Sequence, residues 1–289
     1  MIEWYYLLLA SSVLMGVSTI IEKYALKDEH ASAYSSGFAI VTALLALIFL
    51  PFANFSIKLF EIPLLYIISL ISTATYLFTA RIFKHGNISV ASPIFSSLPV
   101  LFIVIMSAMT LNEYLKPIQY LVIAIMIITA YFLMTFGNKN GSKAFEKTKY
   151  IYLIVLTSFL GAVGAIILKY LLNLGMNIFT ILIFIELFMA INFTAYMKLK
   201  YGGPKEVVSN LKKYKKSIAA ISSLTTLYRL TYYAAASLIF ISLVSPIRNS
   251  IYIVITTFAG GIMFNEKGIK KKLVLSSILI ICAYYLSVL

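Results

Sequence analysis

The sequence predicts an all-α integral membrane protein with ten transmembrane helices, arranged as two inverted five-helix repeats around a central cavity. Composition, ten long apolar segments and an internal repeat support this prediction. Of 289 residues, 61% are hydrophobic and only 12% are charged, whereas soluble domains have roughly 45–50% apolar and about 25% charged residues. The composition therefore excludes a water-soluble globule, a disordered chain and a coiled coil.

Ten apolar segments, separated by polar joints, are each long enough to cross a hydrocarbon core of about 30 Å, which takes about 20 residues of helix. None alternates in the manner of a barrel strand, so the spans are predicted to be helical. The N-terminal segment lacks a basic start and reads as a transmembrane helix, not as a cleaved signal. The predicted spans are residues 4–24, 32–52, 62–82, 88–110, 117–136, 150–172, 177–198, 217–240, 243–264 and 271–289.

The chain also contains an internal repeat. Residues 88–136 align without a gap on 241–289, with 14 of 49 pairs identical, and residues 12–24 align on 158–170. Five spans in each half force the second half to lie inverted relative to the first, and transporters with such repeats bind solutes near the midplane between the halves. The predicted units are a first repeat at residues 1–136, a basic linker at 137–149 and a second repeat at 150–289.

Two motifs recur in the repeat, Ser-Pro at residues 92 and 245 and Asn-Glu at residues 112 and 265. Their placement, with Ser-Pro near the start of the fourth helix and Asn-Glu before the fifth helix of each half, resembles the ten-helix EamA-type proteins of the drug/metabolite transporter superfamily. The resemblance implies a multi-pass protein of the cell membrane with a basket of helices around a cavity. It also implies a secondary transporter, often an exporter, of amino acids, other small metabolites, nucleotide sugars or drugs. The last helix of each half would be peripheral and would form a homodimer contact.

Positive charge predicts the orientation of the chain. Of 24 Lys and Arg residues, 19 lie in or beside alternate joints, beginning with the first, and only three in the other joints. By the positive-inside rule the richer joints are cytoplasmic, which places both termini outside. Relatives of this fold are usually drawn with both termini inside. The net charge of +14 therefore indicates the orientation of the chain and contact with membrane lipids. It does not indicate a nucleic-acid partner.

Three charged residues, Glu186, Arg229 and Arg248, stand out because they are predicted to lie deep in the membrane, near its centre or in its outer half. Each costs at least about 2.5–3.5 kcal/mol in mid-membrane, so such groups usually face a cavity or a partner. In the functional interpretation an arginine binds a carboxylate or phosphate, and Glu186 faces an amine or takes a proton. In the structural interpretation Glu186 and Arg229 form a buried ion pair, and Arg248 reaches outward to the interface.

The repeat favours the functional interpretation, because the first half has uncharged residues near the equivalent positions: Ile40, Tyr76 and Phe95. Charges that the repeated scaffold does not need are suited to a particular solute. Helical spacing places further polar groups on the same face as Arg229 and on the equivalent face of the third span. The additional candidate substrate-binding residues are Thr225, Tyr232 and Tyr233 around Arg229, and Ser72, Tyr76 and Thr79 in the third span.

Two scaffold features are also predicted. Asn112-Glu113 and Asn265-Glu266 precede the last helix of each half and are expected to cap it and to complement its dipole. Small residues in the first and sixth spans are expected to let these helices approach their neighbours closely. The small residues are Gly16, Gly161 and Gly164, together with Ser12 and Ser158.

We therefore predict a secondary active transporter that exports amino acids or similar small polar metabolites by alternating access. It would have no cofactor or metal, and proton coupling would act through Glu186. One alternative is a transporter of anionic metabolites or nucleotide sugars, held by Arg229 and Arg248 together. Another is a flippase of a lipid-linked substrate. A membrane enzyme is disfavoured, because one Cys and two His residues offer no clustered nucleophile, base or metal set.

Overall fold

A computed structural model describes residues 3–26, 31–85, 88–135, 148–201, 205–264 and 269–289, nearly all of them helical. A short 3-10 helix, Leu47–Phe52, continues the second helix. The α-helices are α1 (Trp4–Leu26), α2 (Ala31–Ala46), α3 (Glu61–His85), α4 (Ile88–Thr110), α5 (Pro117–Thr135), α6 (Thr148–Asn173), α7 (Ile178–Tyr201), α8 (Lys205–Lys213), α9 (Lys215–Leu238), α10 (Ile241–Ile262) and α11 (Ile269–Val288).

Each of the ten predicted segments forms a helix, and the ends agree within a few residues. The prediction of a plain polar joint at 200–217 was wrong, because α8 forms within it. Val207 is buried and packs beside Met197, and Leu211 lies against α2. A one-sided apolar pattern among lysines is what a short helix on the bundle surface requires. Asn265-Glu266 and most of the linker 137–149 lie outside the described residues.

Within the described residues, seven helices are long and apolar enough to cross a membrane: α1, α2 with its 3-10 extension, α3, α6, α7, α10 and α11. The helices α4 and α5 contribute the shorter apolar stretches Phe95–Thr110 and Pro117–Leu133. The remaining long helix, α9, carries Arg229 and many hydroxyl side chains. The protein is therefore a multi-pass helical membrane protein, and the count of ten spans stays a prediction.

The helices pack in pairs that follow the internal repeat. The first helix, α1, packs on α9 and α10, and its repeat counterpart α6 packs on α3 and α4. The helices α2 and α7, α4 and α10, and α5 and α11 each pack on their own counterpart. This is the two-fold pairing expected of two equivalent halves. The inversion of one half relative to the other stays a prediction.

Close approach of α1 to α10 depends on Gly16. A Cβ atom at this position would lie 2.6 Å from the Cγ2 of Ile255, which confirms the prediction for this glycine. Ser12 strengthens the contact by donating to the backbone carbonyl of Arg248 at 3.1 Å. The same prediction was wrong for Gly161, where an added Cβ would meet nothing within 4 Å.

The α9–α10 joint is held by Glu113, which reaches it from the α4–α5 connection. Its two carboxylate oxygens accept from the backbone amides of Ile241 and Ser242 at 3.1 and 3.2 Å, and Oε2 also accepts from the Ser242 hydroxyl at 3.0 Å. The prediction that Glu113 complements α5 was therefore wrong. Asn112 adopts a left-handed φ of 55°, and Glu113 instead caps the N-terminus of α10.

Lys169 of α6 holds the other side of this joint. Its ammonium donates to the carbonyls of Ala236 and Ile239, at 2.7 and 2.8 Å. These carbonyls are at the C-terminal end of α9, where a cation is favoured by the helix dipole. The joint is thus held by one carboxylate from the α4–α5 connection and one ammonium from α6.

Candidate substrate cavity

A cavity of about 340 Å³, called the central cavity below, lies among α1, α3, α4, α6, α9 and α10. These six helices are three repeat-related pairs, and each pair lines the cavity with equivalent positions. From α3 and α9, at an offset of 153, come Ser72, Thr75, Tyr76 and Thr79 and their counterparts Thr225, Tyr228, Arg229 and Tyr232.

The helices α1 and α6 line the central cavity at an offset of 146, but with unlike side chains. The α1 face carries Met15, Ser18, Thr19 and Glu22, and the α6 face carries Gly161, Gly164, Ala165 and Leu168. From α4 and α10 come Phe95, Ser96 and Pro99 with their counterparts Arg248, Asn249 and Tyr252. Most positions that line the cavity are therefore repeat-related, but the chemistry of the wall is asymmetric.

Sequence reasoning predicted part of this wall. Of the nine predicted substrate-binding residues, eight line the central cavity: Arg229, Arg248, Tyr76, Tyr232, Tyr233, Thr225, Ser72 and Thr79. The exception is Glu186 of α7, which is fully buried outside the wall.

Glu186 and Arg229 form a buried ion pair, as the structural interpretation of these charges predicted. The Nη1 of Arg229 donates to the Oε1 of Glu186, and Oε2 of the same carboxylate has no hydrogen-bond partner among the described residues. Arg229 also lines the central cavity, and 13% of its side chain is exposed. Arg229 therefore connects the cavity wall to a buried carboxylate behind it.

Arg248 lies on the wall, over the ring of Tyr232. Its guanidinium carbon is 3.9 Å from the ring centroid, in the geometry of a cation–π contact. The Oδ1 of Asn249 accepts from Arg248 Nε and Nη2 at 3.4 and 3.3 Å. Asn249 is itself fixed, because it donates to the carbonyl of its repeat counterpart Ser96 at 2.8 Å. No carboxylate within 4 Å pairs with Arg248 in the described part of the chain.

Glu22 of α1 is the functional candidate that sequence reasoning missed. It lines the central cavity and is 7% exposed, and its Oε1 accepts from the hydroxyl of Tyr76 at 2.6 Å. The Tyr76 ring stacks on Phe38 with centroids 4.8 Å apart. One signal was present in the sequence, because Ser18, Thr19 and Glu22 fall on one face of an otherwise apolar helix.

The central cavity thus combines a carboxyl group, Glu22, with two guanidinium groups, Arg229 and Arg248. Glu186 compensates one of the cations from outside the wall. These charged groups can bind a solute that carries both a positive and a negative charge, because the fold holds them in position in the absence of the solute. Among the described residues, no three His, Cys, Asp or Glu side chains are grouped as ligands for a metal ion.

A multi-pass helical protein with a polar cavity between repeat-related helices has the architecture of a membrane transporter. Comparison with protein families gives the particular class. Residues 2–135 match the model of the EamA-like transporter family. This match confirms the resemblance to EamA-type proteins of the drug/metabolite transporter superfamily, a family of membrane transporters. The ten-helix detail of that resemblance stays a prediction.

A solved crystal structure of another protein has the same fold. The two superpose with a TM-score of 0.66 over 96% of this chain and 98% of that chain, at 12% sequence identity. At this identity the likeness shows the fold alone. No curated protein sequence matches the chain.

Proposed function

We propose that the protein is a secondary active transporter of the cell membrane that exports amino acids or similar small zwitterionic metabolites by alternating access. The observation that carries the proposal is the presence of Glu22 and Arg248, of opposite charge, in the wall of one cavity. The cavity volume of about 340 Å³ is near the lower end of the range for ligand sites, about 300–1,000 Å³. Both features suit a small solute that carries an amine and a carboxylate.

In this proposal Arg248 binds the substrate carboxylate, because a guanidinium presents a planar set of donors that matches two carboxylate oxygens. The Tyr232 ring and Asn249 hold the guanidinium in place. Glu22 accepts from the substrate amine, and its own position is fixed by Tyr76. Arg229 adds a second cation to the wall, and Glu186 keeps that cation partly neutralised.

Glu22 also replaces Glu186 as the proposed proton carrier. Glu186 is held by the permanent cation of Arg229, whereas the described partner of Glu22 is the neutral hydroxyl of Tyr76. A carboxyl group that meets both the solute and the cavity water can exchange a proton for the substrate amine.

Proton coupling through Glu22 predicts that an imposed pH gradient drives uptake of labelled L-alanine into proteoliposomes. Glu22→Gln should abolish the dependence on the gradient, because glutamine cannot be protonated in this range. The matched control is Lys198→Gln, which removes a charge at an exposed position of α7. If the wild-type flux does not depend on the pH gradient, the proposed role of Glu22 as proton carrier is contradicted.

The substrate class can be tested with purified protein in detergent. We expect L-alanine to raise the melting temperature more than propionate or ethylamine, which each carry one of its charges. At about 100 times Kd, a ligand stabilises by about 2.7 kcal/mol. Arg248→Gln should remove the shifts with alanine and propionate, Glu22→Gln those with alanine and ethylamine, and Lys198→Gln neither.

An anionic metabolite is the second candidate, favoured by the two arginines on the wall and by the absence of a carboxylate partner for Arg248 among the described residues. In the same experiment, stabilisation by inorganic phosphate or a phosphorylated three-carbon acid, with none by L-alanine, would support this candidate. That result would contradict the zwitterion proposal.

A further inference from the structure

We propose that the α6 wall of the central cavity, formed by Ser158, Gly161, Gly164 and Ala165, is the subsite for the substrate side chain. It would select a short side chain that carries a hydroxyl group. This inference rests on the proposed function, since it takes the amine and carboxylate of the substrate to be held by Glu22 and Arg248. With these ends bound to α1 and α10, the rest of a small amino acid must occupy another part of the wall.

The α6 wall has space for a substrate side chain because two of its positions are glycines. A Cβ added to Gly161 would meet nothing within 4 Å, and one added to Gly164 would have only an ordinary contact, 3.5 Å from Ile71. The repeat counterpart of Gly161 is Met15 of α1, which lines the opposite side. The volume that methionine fills in one half is therefore open in the other.

Ser158 gives this open wall a polar group that lacks a partner. It lines the central cavity and is 1% exposed, yet its hydroxyl has no hydrogen-bond partner among the described residues. Ser158 lies three residues before Gly161 and seven before Ala165, hence on the same helix face. A buried hydroxyl is rarely left unpaired in a native protein, so a bound solute is the partner that this position lacks.

The repeat counterpart of Ser158 shows that the position itself does not prevent pairing. Ser12 of α1 donates to its own helix, at the Leu8 carbonyl, at 2.6 Å, and it is also 3.1 Å from the Arg248 carbonyl. Serine in a membrane helix commonly bonds the carbonyl four residues earlier. Ser158 makes no such bond, which leaves its hydroxyl available to a side-chain hydroxyl of the substrate.

The first experiment compares L-threonine with L-valine by titration calorimetry of the full chain in detergent. These amino acids have nearly the same shape and differ by a hydroxyl in place of a methyl. Wild type should bind threonine about fivefold more tightly, and Ser158→Ala should bring this ratio close to one by weakening threonine alone. The control Ser223→Ala removes an exposed hydroxyl that donates to Ala219, and it should leave the ratio unchanged.

The second experiment fills the subsite with Gly161→Val. Threonine should bind about tenfold more weakly relative to glycine than in wild type, because its side chain meets the new methyl groups. Retained binding of glycine shows that the charged part of the site and the fold are intact. An equal loss for glycine and threonine, or no loss for either, would overturn the subsite.

The outcomes separate the two proposals. If no amino acid binds wild type, the proposed function fails, and the subsite fails with it. If amino acids bind but threonine and valine are not distinguished, or if Ser158→Ala weakens both equally, only the subsite is overturned.

Discussion

Glu186 and Arg229 form an ion pair whose two members have different surroundings. Glu186 is fully buried, whereas Arg229 reaches the central cavity. Removing one member of a buried pair costs about 3–5 kcal/mol, because the remaining charge is uncompensated. We predict that Arg229→Gln strongly lowers the melting temperature in detergent, and that the double variant Glu186→Gln/Arg229→Gln recovers most of the loss.

A double-mutant cycle on melting temperatures measures this coupling. The exposed Lys198→Gln is the control for loss of a positive charge. If Arg229→Gln is as mild as this control, the structural importance of the pair is contradicted. The double variant also separates two roles of Arg229, since unchanged binding of L-alanine would mean that Arg229 serves Glu186 and not the substrate.

At the residue scale, the sequence predicted which side chains around Arg229 line the cavity, but it did not predict which carboxylate lines it. Eight of the nine predicted substrate-binding residues line the central cavity, because a charge inside an apolar segment, together with helical spacing, identifies a face. Their role in binding stays a prediction. Whether Glu186 faces the cavity or another helix depends on how α7 packs beside α9, which spacing does not specify. Glu22 was overlooked because it stands beside Lys23 near the end of an apolar run, where a charge is expected.

Among the helices, the α9–α10 joint is distinctive because both of its caps come from elsewhere in the chain. Glu113 lies 128 residues before Ile241. We predict that Glu113→Gln speeds amide hydrogen exchange at Ile241 and Ser242 and costs about 1–3 kcal/mol, because an amide has one acceptor oxygen and cannot serve both donors as the carboxylate does.

Glu61→Gln is the matched control for this prediction. Glu61 is a buried glutamate that caps its own helix, accepting from the amide of Lys58 at 2.9 Å. Its variant should alter exchange at the start of α3 and leave the α9–α10 joint unaffected. If Glu113→Gln leaves exchange at Ile241 as slow as in wild type, the capping role is contradicted.

The helices themselves were predictable, because length and apolar runs determine where spans begin and end. The capping partner of Glu113 was not, since a carboxylate before one helix reads as a local cap unless the packing of distant segments is known. The short helix α8 was missed because its few apolar residues, such as Val207 and Leu211, are outnumbered by charged and polar residues.

For the whole molecule, the two equivalent halves differ in the chemistry of the cavity wall. The same positions of each repeat line the central cavity, but Tyr76 of α3 corresponds to Arg229 of α9, and Glu22 of α1 corresponds to Leu168 of α6. In the proposed transporter, this repeated scaffold would supply the cavity and the paired helices on which alternating access depends. The unequal residues give the wall charged groups on α1, α9 and α10 and open space on α6, an arrangement that suits the asymmetric solute proposed above.

Orientation is the remaining property of the whole molecule, and the positive-inside rule makes it testable. The 19 Lys and Arg residues of the alternate joints include Lys212, Lys213, Lys215 and Lys216 around the α8–α9 boundary. A reporter that is active only in the cytosol should therefore be silent when fused after Leu289 and active when fused after Lys213. Each basic residue held at the cytoplasmic surface adds to this preference. Activity after Leu289 with silence after Lys213 would reverse the assignment and place both termini inside.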